Sequence, residues 1–200
     1  MKLFNQYYLM RRLCIVAFAI IVTGCSTTPS STTPAEKTPL SSSEKSAYED
    51  ALSNMKAGET DKAISGLKKL TQSHPVFVDG WINLATVYYN NKKIEEANSA
   101  LINAKKINPD LPEIYNLTGL LDVEKGEYQS AEKNYLSAIT LKNNYAAAHY
   151  NLAIVYDVFY QDIGKAITEY EKYLTLTGNT DKSTISWVTE LKAKLKRKAS

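Results

Sequence analysis

Cysteine, histidine and glycine are scarce in this chain of 200 residues, which holds two, two and eight of them. Both cysteines, Cys14 and Cys25, fall in the N-terminal eighth, so an internal disulfide framework, a CxxC redox pair and a cysteine zinc site have nothing to be built from. The histidines, His74 and His149, are far apart in sequence, and no HExxH, GxSxG, GxGxxG or GxxxxGK[ST] pattern occurs, which leaves metal hydrolysis, acyl transfer and nucleotide binding without their usual residues. Long apolar runs are missing too. The most apolar stretch, Leu13 to Val22, would span about 15 Å as a helix, half of a roughly 30 Å hydrocarbon core. Excess charge is also lacking once the N-terminus is set aside. Lys2, Arg11 and Arg12 lie in the first 24 residues, where there is no acid; without them the 24 basic residues fall to 21, against 21 acidic ones. A neutral chain of this kind does not read as a nucleic-acid binder.

The basic opening followed by a short apolar run reads as an export signal. It leads into Val22-Thr23-Gly24-Cys25, which resembles the lipobox of bacterial lipoprotein signal peptides. The resemblance implies lipidation of the Cys25 sulfur, cleavage before it and a mature chain held at a membrane by its acyl groups, palmitate among them. Ser26, where an Asp would favour inner-membrane retention, implies the periplasmic face of the outer membrane. In residues 26–43, 14 of 18 positions are Ser, Thr or Pro. Such a segment buries too little to offset its ordering entropy. It reads as a tether with a root-mean-square reach of roughly 25 Å.

From residue 44 the chain repeats. Ala63, Ala97 and Ala131 are 34 apart, Ala166 follows after 35, and Pro75 and Pro109 are also 34 apart. Paired helical patterns separated by short Gly, Asn or Asp turns lie around these marks. The second unit carries Trp81, Leu84, Ala85, Tyr88, Ala97, Leu101, Ala104 and Pro109, and with its neighbours it resembles the tetratricopeptide repeat. The resemblance implies an all-α solenoid of helical hairpins, about four repeats at 44–77, 78–111, 112–145 and 146–179, with the fourth taking an extra residue in the turn near Gln161. Small residues at Ala51, Ala85, Gly119 and Ala153 would let the two helices of each unit approach closely. Residues 180–198 read as a capping helix with Thr180 or Asp181 as N-cap and Ile185, Val188, Leu191 and Leu195 as its apolar stripe. The end of that helix, Lys192 to Lys198, is strongly basic.

The histidines fall at structural places of the repeat, and Tyr88, Tyr115, Tyr128, Tyr135, Tyr156 and Tyr170 fall where it uses aromatics as core. The resemblance further implies that first helices line a partner groove. Carried over by position, this surface comprises Tyr48 in the first unit; Asp79, Asn83, Thr86, Tyr89 and Asn90 in the second; Glu113, Asn116 and Leu120 in the third; and Tyr150, Asn151, Ile154 and Asp157 in the fourth. Amides can bond a peptide backbone and tyrosines give contact area at low rotamer cost. The expectation is therefore a noncatalytic, lipid-anchored scaffold that binds a protein or peptide partner in the bacterial envelope, with no cofactor, metal or nucleic acid. Three rivals stand beside it: a lipoprotein assisting type IV pilus secretin assembly, an enzyme or enzyme subunit acting on peptidoglycan, and a homo-oligomer whose groove is filled by another copy.

Overall fold

The computed structural model describes residues 39–199. The leader, Cys25 and the tether up to residue 38 lie outside the described residues. The described residues form nine α-helices and no strand. They run as hairpins: α1 (Ser42–Lys56) with α2 (Thr60–Ser73), α3 (Val78–Asn90) with α4 (Ile94–Ile107), α5 (Pro112–Glu124) with α6 (Tyr128–Leu141), and α7 (Ala146–Ile154) with α8 (Ile163–Leu176), followed by α9 (Lys182–Ala199). Each helix packs chiefly on its neighbours in the chain; α3 also touches α5, and α5 touches α7. The first helices of successive units therefore form a row, and the stack is a helical-hairpin solenoid.

Each hairpin is closed by the same device. The middle residue of each three-residue turn is left-handed: Gly58, Lys92, Gly126 and Gln161 have φ of 74°, 58°, 77° and 55°. The next amide then reaches back to a free carbonyl near the end of the first helix, as when Glu127 donates to Asp122 at 2.8 Å and Lys93 to Tyr88 at 2.9 Å. This satisfies carbonyls that the helix end leaves open. The helix pair is drawn together by the small residues of the repeat. Ala63, Ala97, Ala131 and Ala166 are all 0% exposed. Gly119 shows how close the approach is: a Cβ placed there would lie 2.5 Å from the Tyr135 ring, whereas units with Ala51 and Ala85 at this place carry Leu67 and Leu101 opposite. Fully burying such a leucine contributes about 1.5–3 kcal/mol.

The structure corrects two local expectations. The extra residue of the fourth unit is not in the turn, which has three residues like the others. It is absorbed in a π-helical turn, Val155–Phe159, that continues α7. The closing bond shows this directly, since Asp162 reaches back six residues to Tyr156 where Lys93 and Glu127 reach back five. The ring of Phe159 then stacks on Tyr128, centroids 3.9 Å apart. The second correction concerns α9. Its buried face is Thr184, Val188 and Leu191, while Ile185 and Leu195 are exposed. Asp181 is the cap: its Oδ1 accepts from the Thr184 amide at 3.1 Å, its Oδ2 from the Thr184 hydroxyl at 2.7 Å.

The first helix also starts earlier than the composition of the tether suggests. Ser41 accepts from the Glu44 amide and Glu44 bonds back to the Ser41 amide, a capping box that fixes the start of α1 at Ser42.

Candidate partner groove

The row of first helices brings most of the expected groove residues to one side, and it also ties several of them to one another. Asn83 Nδ2 donates to the Tyr48 hydroxyl at 2.6 Å, and Asn151 Nδ2 donates to Asn116 Oδ1 at 2.9 Å. Both pairs join the fifth place of one unit to the sixth of the next. At the junction between them these places hold Ile82 and Leu117, both packed against the buried core that includes Leu67, Leu84, Leu101 and Ile114. The row is thus fastened by a polar pair at each of its outer junctions. Asn116 is buried, so it supports the groove floor and is not a contact surface. The signal for this pairing was present in the sequence as matched Tyr/Asn, Ile/Leu and Asn/Asn residues 35 apart.

Asp79 and Asn90 are exposed, while Thr86, Tyr89, Glu113 and Leu120 are partly so. Thr86 spends its hydroxyl on the Ile82 carbonyl of its own helix. Carboxylates face phenols along the row. Burial, and then the charge of Asp79, raise the Tyr48 hydroxyl above the ordinary tyrosine range. Tyr89 is raised by burial and by Glu124, and Tyr145 by burial and by Glu113. Lys45 is exposed at the place of the first unit that Asp79 and Glu113 hold in the next two, and Lys92 at the border of the row is held by Glu124 at 2.7 Å while its ammonium lies 5.7 Å from the Tyr89 ring centre.

The fourth unit departs from the expectation. Asp157 accepts from the indole N–H of Trp187 on α9 at 2.6 Å. Tyr150 packs on Tyr173 and Tyr170, ring centres 4.8 and 5.8 Å away. Ile154 is partly buried against the core that includes Leu152, Tyr156, Ile167 and Tyr170. These side chains are occupied by the fold, so the open part of the groove spans the first three units.

The histidines are structural. His149 stands at the place that Trp81 holds two units earlier, and the two make equivalent bonds. Trp81 Nε1 donates to the Pro75 carbonyl at 2.9 Å, and His149 Nε2 lies 3.0 Å from the Asn143 carbonyl. Because a carbonyl only accepts, Nε2 carries a proton; Nδ1 faces Glu169 at 2.7 Å. His74 Nδ1 is 2.8 Å from Glu44 and ties the second turn to α1. Among the described residues no cluster of His, Cys, Asp and Glu could hold a metal ion.

Comparison with known proteins agrees with this architecture. A tetratricopeptide-repeat profile matches residues 78–111, and a second TPR repeat profile matches residues 119–157. The chain is 34% identical over 94 residues to protein O-mannosyl-transferase TMTC3 of Mus musculus, a match that covers 46% of this chain and 10% of that protein. Among solved structures, pilF of Pseudomonas aeruginosa aligns with a TM-score of 0.68 at 22% identity, covering 77% of this chain and 69% of that one. The first TPR of Spaghetti (RPAP3), bound to the HSP90 peptide SRMEEVD, aligns with a TM-score of 0.54 at 23% identity over 57% of this chain and 90% of that one. From period, turn geometry, buried small residues and these likenesses together, the chain carries tandem tetratricopeptide repeats folded as an all-α helical-hairpin solenoid, the fold of a protein-interaction scaffold.

Proposed function

We propose that this is a noncatalytic scaffold, held by lipid at Cys25 on the periplasmic face of the outer membrane, that binds a protein or peptide segment of the bacterial envelope along the first three units. The observation that carries the binding reading is the open row of Asp79, Thr86, Tyr89, Asn90 and Glu113, built on first helices that are already fastened to one another. A preformed surface loses little ordering entropy on binding. The anchoring reading is supported by Val22-Thr23-Gly24-Cys25 and by the Ser/Thr/Pro-rich residues after it.

The chemistry of the row narrows the partner. It offers carboxylates, phenols and amides, with Lys45 as its exposed cation and Lys92 already paired with Glu124, so its acids outnumber its free cations. An acidic segment such as the SRMEEVD peptide held by the RPAP3 repeat is poorly matched to it. A neutral or Lys/Arg-containing segment is matched, since opposite charge speeds encounter and suppresses wrong partners. The transferase name of TMTC3 belongs to a protein of which this chain matches a tenth, and it is no ground for catalysis here. The second reading is a lipoprotein that assists type IV pilus secretin assembly, supported by the shape shared with pilF.

The test is affinity capture from detergent-solubilised envelopes. Three baits are compared: the natural chain, a groove variant with Asp79, Tyr89 and Asn90 changed to alanine, and an outer-helix variant with Lys105 and Lys106 changed to alanine. A partner lost by the groove variant and kept by the other supports the scaffold. Partners retained equally by all three would remove the groove from the account. Muropeptide release from purified sacculi, abolished by a single acid substitution, would replace it with an enzyme.

A further inference from the structure

A cavity of about 310 Å³ opens between α2, α3 and α4 and is lined from α3 by Trp81, Leu84 and Tyr88. Helical spacing sets these three on the opposite face of α3 from Asp79, Thr86 and Asn90, so the cavity lies away from the partner groove. Its volume is at the lower end of the roughly 300–1,000 Å³ of ligand sites, which suits one long side chain. Leu84 and Tyr88 are buried, and the Trp81 ring is held by its indole N–H on the Pro75 carbonyl. In the lining, Thr71 and Ser99 turn their hydroxyls to carbonyls of their own helices. The charged groups of the lining are Glu95 and Glu96 on α4, both exposed, and Lys68 on α2. Glu96 is near enough to Tyr88 for its charge, after burial, to raise the phenol above its ordinary range. Among the described residues, neither acid has a cation partner.

The later units show what such rings hold in this molecule. Tyr115 stands in the third unit where Trp81 stands in the second, and the Lys105 ammonium lies 4.6 Å from its ring centre. Tyr156 stands in the fourth unit where Tyr88 stands in the second, and the Lys165 ammonium lies 5.0 Å from its ring centre. The second unit has Thr71 at the place of Lys105 and Glu96 at the place of Lys165. Among the described residues no lysine ammonium lies over Trp81 or Tyr88. The second unit therefore keeps both rings, lacks both lysines and puts a carboxylate where one of them would be.

We propose that this cavity receives a lysine or arginine side chain of a protein partner, with its apolar stem on Leu84 and Ala100, its cationic head against the Trp81 and Tyr88 rings, and Glu95 and Glu96 as counter-charges. A cation over an aromatic face is attracted by the ring, most strongly over Trp, and the long stems of Lys and Arg pack well on apolar surface. Lys68 opposes the incoming charge, so the site is tuned below its full strength. The site is separate from the partner groove and stands or falls without it.

The test titrates the full chain with three blocked peptides, acetyl-Gly-Lys-Gly-amide, acetyl-Gly-Arg-Gly-amide and acetyl-Gly-Met-Gly-amide, and follows the indole N–H resonances of the two tryptophans, told apart by Trp187→Phe. The expected result is a saturable shift of the Trp81 signal with the lysine and arginine peptides, little response to the methionine peptide, and a Trp187 signal that stays in place. Glu95→Gln/Glu96→Gln should bind the cationic peptides about tenfold more weakly, as the loss of two partly exposed charge contacts implies. Lys68→Met should bind them more tightly, an opposite sign that general loosening of the hairpin would not produce. An equal response to the methionine peptide, no response to any of the three, or unchanged affinity in the glutamine variant overturns the proposal, and none of these results bears on the groove.

Discussion

The second and fourth hairpins are built to the same plan, and the fourth has one residue more. In the second, α3 ends, Lys92 turns left-handed and Lys93 closes five residues back; in the fourth, Gln161 turns in the same way and Asp162 closes six residues back. The turn was kept and the helix gave way. The physical reason is that a left-handed turn residue fixes a particular amide-to-carbonyl closure, whereas a helix absorbs an added residue by widening one turn, at a modest loss of hydrogen-bond geometry. The difference spreads to the side chains. Val158 is pushed out to 57% exposure and Phe159 swings onto Tyr128.

The strongest way to break the comparison between units is at Gly119. Its replacement by alanine gives the third unit the small residue of the second, but Tyr135 is 1% exposed and has no room to retreat. The expected loss is about 3 kcal/mol, read by urea unfolding. The double variant Gly119→Ala/Tyr135→Leu copies the Ala85 and Leu101 pair and should recover most of it. Next in size is His149→Leu, which removes the bonds to Asn143 and Glu169 and leaves a carbonyl and a carboxylate short of a partner. A loss of about 2 kcal/mol is expected. His149→Trp copies Trp81 and should keep the first bond, so its loss should be smaller. If the two variants unfold at the same denaturant concentration, the equivalence of the two places is mistaken.

The third prediction concerns the joint between α8 and α9. The hydroxyl and amide of Thr184, with Ser183, bring the Asp181 carboxyl down to about 2. A carboxyl that is lower in the folded state contributes stability above its unfolded value, and this is lost as pH falls through the folded one. Docking of α9 in the natural chain should therefore weaken as pH drops from the ordinary carboxylate range toward about 2. Trp187 fluorescence reports the docking, and Asp181→Asn should flatten that part of the profile. The smallest effect is at the turn itself. Gln161→Gly gives the fourth hairpin the residue used by the first and third, and a gain of up to about 1 kcal/mol is expected from relief of the left-handed conformation. A melting temperature that falls instead would mean the Gln161 side chain has a role of its own.

The period was plain in the sequence because it depends on what cannot be large. Ala63, Ala97, Ala131 and Ala166 must be small for two helices to meet, and composition records that constraint directly. The place of the extra residue was not legible, since a spacing of 35 is the same whether the helix or the turn takes it. The groove was legible as a row of positions, but not which of its members serve the fold. Asn116 and Asp157 have the residue types of a binding surface, yet Asn151 and Trp187 occupy them. The capping box is written in the sequence as Ser41 and Glu44, three residues apart, inside a stretch whose Ser/Thr/Pro composition masks it.

The strong contacts of each helix are confined to its chain neighbours and, along the inner row, to the next first helix. Damage at one hairpin therefore travels little beyond the adjoining pair, as in other linear arrays. Helix α9, fastened chiefly to α8, can peel away while the first two hairpins stay shut, so the molecule yields by degrees from its basic end, like a zip.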